Sequence, residues 1–383
     1  MFPLLHLQRG CHGDPCDEWK GTQAVGNPFE FVLCCFASLD TMASLIPSSL
    51  PSLRVNSPRK RWIRWLIPAA KATVFALLCW FIYYTFVSAN ERLGAHTWHV
   101  EPQWLVVSGI LYLLGLLPAA IFWQRVLVAT GQNVGLGESL RAYYISQLGK
   151  YVPGKWMVIL LRRVSLHSSG LEETVVAASV FFETFTMLAV GSALAAVMLA
   201  IWQPEKPLLV GAAAISVLLM GIPTVPAVFQ WLIRKLGVDK LNPKAGAKFS
   251  CISPRTIAFG WSMIAVGWLL QGMSLWATLR SLGAVDGGPF SELSLHTATV
   301  ALSVVAGFIS QIPGGLGMRE GVSAELIEPQ YGPAIAIVSA IIFRLVLLVS
   351  ETMVSIILYA AGWLRTRKPA AEVEAELSAS GIR

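Results

Sequence analysis

The chain has 383 residues, of which 55% are hydrophobic and only 13% charged. Soluble domains carry about a quarter charged residues, so the water-soluble enzyme classes are excluded, and a mean hydropathy of +0.61 comes from long uncharged stretches. Several of these reach the ~20 residues that a helix needs to cross roughly 30 Å of hydrocarbon, and the short alternating segments of a transmembrane β-barrel are missing. The composition therefore predicts an all-α polytopic membrane protein.

In chain order, residues 1–60 hold no spanning segment. The apolar run 31–39 is too short to cross, and no small-residue cleavage site follows it. Pro, Ser and Gly dominate up to Pro58, so 1–60 reads as a disordered N-terminal segment, with Met42 as an alternative start. The six cysteines (Cys11, Cys16, Cys34, Cys35, Cys79 and Cys251) lack metal-site spacing, and nothing in them calls for a metal or a disulfide framework.

Apolar runs then follow at 68–88, 104–123, 174–201, 207–233, 257–279, 297–312 and 334–363, with a weaker mixed segment at 140–161. Trp104, Trp123, Trp202, Trp231 and Trp363 sit at run ends, where indole rings favour the membrane interface. Twenty-two Lys and Arg residues fall before and at the start of the first run (Arg54, Arg59, Lys60, Arg61, Arg64 and Lys71), in 124–173, in 233–256 and in the tail, against four in the intervening regions (Arg92, Lys206, Arg280 and Arg319). By the positive-inside rule both termini face the cytoplasm of a cell (inner or plasma) membrane, and the number of full crossings is even. Six crossings fit if 297–312, ended by Pro313-Gly314-Gly315, and 140–161, broken at Pro153-Gly154, enter and return as re-entrant Pro-Gly hairpins.

The order span, span, dip, span occurs twice, starting from opposite sides. This predicts an inverted-topology repeat, with 61–203 as the first membrane repeat, 204–365 as the second and 366–383 as a cytosolic tail. Ile145-Ser146-Gln147 before one break and Ile309-Ser310-Gln311 before the other support it. Glu183 and Arg344 lie inside the span after each break, where an ionisable group costs about 2.5–3.5 kcal/mol near the bilayer centre. The expectation is that the two face a shared interior, as an ion pair or as the lining of a polar path, with Glu351 two turns beyond Arg344 on the same face.

Gly149-Lys150-Tyr151-Val152-Pro153-Gly154-Lys155 and Pro313-Gly314-Gly315-Leu316-Gly317-Met318-Arg319-Glu320-Gly321 resemble the two signature segments of the membrane (flippase-like) region of the lysylphosphatidylglycerol synthase family. The resemblance covers roughly 60–365. In the bifunctional synthases such a region moves the aminoacylated lipid between leaflets, and a cytosolic domain makes it. About 20 residues follow the last span here, so the resemblance implies a stand-alone member without the synthase domain and points to lipid transport.

Other motif readings fail. Gly149 to Lys155 has P-loop spacing, but Trp156 replaces the magnesium-binding Ser/Thr and no strand precedes it. Glu320, Glu183 and His296 are the only acid–base candidates, and no spacing joins them, so no catalytic residues, cofactor or metal are expected, and no nucleic-acid partner. The substrate-binding candidates are Gln147, Lys150, Tyr151, Pro153, Gly154, Lys155, Glu183, Gln311, Pro313, Gly314, Gly315, Gly317, Arg319, Glu320 and Arg344. The expected substrate is an anionic or modified phospholipid, drawn to basic residues at the surface. Two further readings stand beside it: a non-catalytic membrane partner of a separately encoded lipid- or envelope-modifying enzyme, and a membrane enzyme acting on a lipid-linked substrate. A homo-oligomer is also compatible with the sequence.

Overall fold

The computed structural model describes residues 100–151, 156–166, 170–202, 205, 207–235 and 245–379. The chain divides into Met1–Pro51 and Ser52–Arg383, and every described residue lies in the second unit. The predicted N-terminal segment, the run 68–88, five of the six cysteines, and Pro153, Gly154 and Lys155 fall outside the described residues. Cys251 is free and exposed.

Among the described residues all regular structure is helical. We number the helices α1 Pro102–Ala129, α2 Leu136–Ser146, α3 Trp156–Ser165, α4 Glu173–Trp202, α5 Pro207–Gly221, α6 Pro226–Lys235, α7 Ala245–Phe249, α8 Pro254–Ser281, α9 Leu293–Ile309 and α10 Met318–Ala379. Among the described residues, five helical stretches are long and apolar enough to cross a membrane: Pro102–Ala129, Glu173–Ile201, Pro207–Thr224, Pro254–Ser281 and Met318–Ala361. The outer faces are apolar, and a few polar groups lie within an apolar core. Val106, Ile110, Val197, Leu208, Leu218, Met353 and Ile357 are exposed, while Ser108, Arg162, Glu183, Ser274 and Glu351 are buried. Apolar atoms outside and satisfied polar groups inside suit a hydrocarbon solvent.

One expected run is divided. The stretch 207–233 is not a single helix: α5 ends at Gly221, Ile222–Thr224 form a 3-10 turn, and α6 begins at Pro226. Pro223 and Pro226 remove two helical donors and explain the break. The helix α10 is likewise interrupted at Gly332, whose φ of 80° and ψ of 163° are open to glycine. Pro333 disfavours helical backbone in the residue before it.

The centre of the fold is a seam between α1 and α8. The Glu101 amide donates to the Ser281 carbonyl at 2.9 Å, the Trp104 and Trp276 rings meet edge to face at 5.3 Å, and Gly260 abuts Phe122. Contacts advance along one helix as they retreat along the other, so the pair is antiparallel. Ser108 Oγ donates to the Ser274 carbonyl at 2.8 Å, and Ser274 Oγ donates to the Ser108 carbonyl at 2.8 Å. A Cβ on Gly115 would lie 2.9 Å from the Gly267 carbonyl oxygen, and one on Gly267 would lie 2.6 Å from that of Gly115. Small residues let membrane helices approach this closely.

Two helix-break-helix elements pack around this seam. In the first, α2 and α3 have 11 and 10 residues, about 15 Å each at the helical rise and half of a ~30 Å hydrocarbon core. In the second, α9 has 17 residues and is followed by the start of α10 as far as Gly332. The serine of each Ile-Ser-Gln makes the same local bond, although the helix ends one residue earlier in the second. Ser146 Oγ bonds to the Tyr143 carbonyl at 2.7 Å, Ser310 Oγ bonds to the Gly307 carbonyl at 2.9 Å, and Gln147 and Ser310 are the C-caps.

Candidate functional site

The two breaks meet. After α2 the chain tightens into a 3-10 segment, Gln147–Tyr151, and after α9 into Pro313–Gly315. Gly314 has φ 63°, and a Cβ there would lie 2.8 Å from Arg344 Nη2 and 3.2 Å from the Tyr151 ring. This position therefore needs glycine for its backbone and for the space the two neighbours fill.

Helix α10 ties the breaks together. Arg344 Nη2 donates to the Gly314 carbonyl at 2.5 Å, its guanidinium carbon lies 5.4 Å from the centre of the Tyr151 ring, and its Nε is 3.6 Å from Glu320 Oε1. Glu320 Oε2 in turn accepts the Gly317 amide at 2.7 Å. Two turns further on, the fully buried Glu351 accepts Tyr151 Oη at 3.0 Å, and its other oxygen pairs with Lys150 Nζ and Tyr112 Oη. Lys150 Nζ also lies 3.2 Å from Tyr112 Oη. Arg319 completes the group. A Cβ on Gly307 would meet its Nε at 2.7 Å, and one on Gly315 would meet it at 2.9 Å, so these glycines leave room for the side chain. Its Nε is buried without a hydrogen-bond partner, and among the described residues no carboxylate pairs with it. A pocket lined by Ser303, Arg319, Glu320, Ser323, Phe343 and Arg344 opens beside it. Three cations, Lys150, Arg319 and Arg344, thus face two carboxylates, Glu320 and Glu351. A low-dielectric site with an excess cation favours an anion.

A second buried charge cluster stands apart. Arg162 Nη2 is 3.0 Å from Glu183 Oε2, with both side chains almost fully buried. Arg162 Nε donates to Ser146 Oγ at 3.2 Å, Tyr143 Oη donates to Glu183 Oε1 at 3.1 Å, and the guanidinium carbon lies 4.4 Å from the ring centres of both Trp123 and Tyr143. This corrects two expectations. Glu183 and Arg344 do not pair, because Glu183 is taken by Arg162 and Arg344 faces Glu320. Trp123 is not an interfacial anchor: it is fully buried, and its indole N–H donates to Ser179 Oγ at 2.9 Å.

Of the candidate residues, the structure brings Lys150, Tyr151, Gly314, Gly315, Gly317, Arg319, Glu320 and Arg344 together. Glu183 lies in the closed cluster. Gln147 caps α2, Pro313 opens the second 3-10 turn, and Gln311 is exposed and donates to the Phe308 carbonyl of its own helix at 2.9 Å. Sequence reasoning missed Tyr112 and Tyr143 altogether, and left Glu351 and Arg162 off the site. An ionisable Glu351 within an apolar run was a usable signal. Arg162 was recognisable as the cation that a buried Glu183 demands.

Among the described residues no group of three or more His, Cys, Asp or Glu could hold a metal. The architecture is that of a multi-pass helical membrane protein with a polar centre built at two helix breaks. The model of the lysylphosphatidylglycerol synthase transmembrane region matches residues 66–355, and the chain belongs to this family. Membership connects it with lipid modification or flipping at the membrane. Comparison with curated proteins and with solved structures gave no match.

Proposed function

We propose that the chain is a lipid translocase that carries an anionic or modified phospholipid headgroup between leaflets, without enzymatic turnover. The observation that carries this reading is the convergence of Lys150, Arg319 and Arg344 on the touching tips of two broken hairpins, with one cation in excess. The arms of the first hairpin are too short to cross, so both elements act as re-entrant hairpins, approaching the midplane from opposite faces. The antiparallel α1–α8 seam and the serine bond shared by the two Ile-Ser-Gln segments favour an inverted repeat, with the segment before α1 as a sixth crossing and both termini cytoplasmic. Interrupted helices at a repeat interface are a common transporter plan, and irregular backbone at membrane depth is tolerated where it lines a cavity or is buried in protein. The headgroup phosphate sits against Arg319 and the loosely held Arg344, while the acyl chains stay in the bilayer.

Quantifying the lipids that co-purify with the protein tests this. Wild type retains anionic phospholipid above its membrane abundance, and Arg319→Gln loses that enrichment while remaining folded. A wild-type lipid profile equal to that of the bulk membrane contradicts the reading.

A further inference from the structure

Glu351 is tied to more partners than any other carboxylate of the central site, and its three side-chain partners come from two elements other than its own helix. Tyr112 comes from α1, and Lys150 and Tyr151 come from the first break. The other charged groups nearby are Arg344 on its own helix and Arg319 and Glu320 at the start of α10, with Arg319 and Arg344 close enough to act on Lys150 electrostatically. Glu351 is fully buried, whereas its cation Lys150 keeps 20% of its side chain exposed. An anion arriving in the site can therefore reach Lys150, but the displaced carboxylate has no water to retreat to. A bare carboxylate left in that interior costs several kcal/mol. The Arg162–Glu183 cluster is an internal contrast: both partners are almost fully buried, at 3% and 2% exposure, and no arriving group can come between them.

Resting on the translocase reading, we propose that Glu351 is a proton-binding site, and that each anionic headgroup which takes Lys150 from it crosses together with one proton. The phosphate oxygen accepts the Lys150 N–H, and the freed Glu351 carboxylate takes a proton that enters from the loading-side solution along the opening at the part-exposed Lys150. The resulting carboxylic acid donates to Tyr112 or Tyr151, whose hydroxyls now accept. On the far side the phosphate leaves, the proton returns to water and the Lys150–Glu351 pair re-forms. No bond other than O–H changes, and a monoanionic lipid moves without net charge.

The test uses full-length protein in vesicles containing a trace of acyl-chain-fluorescent phosphatidylglycerol, with membrane-impermeant reductant reporting the outer leaflet. One proton per lipid makes a one-unit pH gradient worth about tenfold in the leaflet ratio. With acid outside, the protected fraction should rise from about one half to about nine-tenths, beyond the change in protein-free vesicles. Glu351→Gln should hold the leaflets equal at any gradient, and Glu351→Asp, which keeps a titratable carboxylate, should restore the polarisation. If Glu351→Gln does not fold, an entrapped pH dye in wild-type vesicles decides: acidification of the interior as lipid moves inward supports the proposal, and no change overturns it. Wild type that equilibrates lipid without responding to the gradient overturns proton coupling and leaves translocation standing, as does Glu351→Gln polarising like wild type. Wild type that moves no lipid removes the reading beneath both.

Discussion

Arg344 and Glu351 lie seven residues apart on one helix and hold two different helix breaks. Arg344 donates to the Gly314 carbonyl at 2.5 Å, and Glu351 accepts the Tyr151 hydroxyl at 3.0 Å. The last span therefore fixes the relative position of both breaks. After each break, a charge on the next helical segment pairs with an opposite charge in the following span, with the signs exchanged: Arg162 with Glu183, and Glu320 with Arg344. The first pair is tight and sealed, and the second is longer and borders the pocket.

The sealed pair should behave as structure. Glu183→Gln or Arg162→Gln alone leaves one buried charge without its counter-ion, which costs about 3–5 kcal/mol. The double substitution should cost less than the sum of the two. Thermal unfolding in detergent, run as a double-mutant cycle, checks this, and strictly additive losses would show that the two residues do not interact.

The glycines of the second break should separate by geometry. Gly314→Ala meets both a positive φ and two side chains within 3.2 Å, and should lower folded yield or transport most. Gly317→Ala has the same backbone sign but open space around it, and should cost about 1–2 kcal/mol. Gly321→Ala sits in α10 with neither obstacle, and should be neutral or stabilising by up to ~1 kcal/mol. Equal effects at all three would contradict this account of the break.

The α1–α8 seam is open to direct chemical test. Ser108 and Ser274 have their hydroxyl oxygens 3.0 Å apart, so sulfurs at these positions need approach by only about 1 Å to reach the ~2.05 Å S–S bond. Ser108→Cys with Ser274→Cys should cross-link under mild oxidant, whereas Ser108→Cys paired with a cysteine at Gly260, about four helical turns from Ser274 along α8, should not.

Topology can be read by labelling. Cys251, exposed after α7, should react with impermeant maleimide only from the cytoplasmic side, and Gly283→Cys only from outside. Labelling of both from one side would refute the proposed even count and its orientation.

Much of this molecule is legible in its sequence because a bilayer leaves few options. Uncharged runs of helical length must span, so α1, α4 and α8 lie within a few residues of the runs 104–123, 174–201 and 257–279. Pro-Gly runs must interrupt a helix, so the second break falls at Pro313–Gly315. Hydropathy averages over proline, which is why 207–233 reads as one span although Pro223 and Pro226 divide it. Pairing is harder still: it is set by which helices lie side by side. Glu183 and Arg344 each follow a Pro-Gly break by about 30 residues, yet each is neutralised by the helical segment just after that break, which hydropathy barely marks. Tyr112, an unremarkable aromatic in an apolar run, becomes a partner of Glu351 only because α1 packs on α10.

The central claim is that the basic centre at the hairpin tips moves a lipid headgroup. Its most direct measurement is the rate at which purified wild-type protein, in vesicles carrying trace fluorescent phospholipids, exposes inner-leaflet label to an external quencher. The account predicts movement of an anionic phospholipid well above the protein-free rate and faster than that of a zwitterionic one, with Arg319→Gln reducing that preference. Wild-type protein, folded and correctly inserted, that leaves anionic, zwitterionic and amino-modified phospholipids all at the protein-free rate would contradict it.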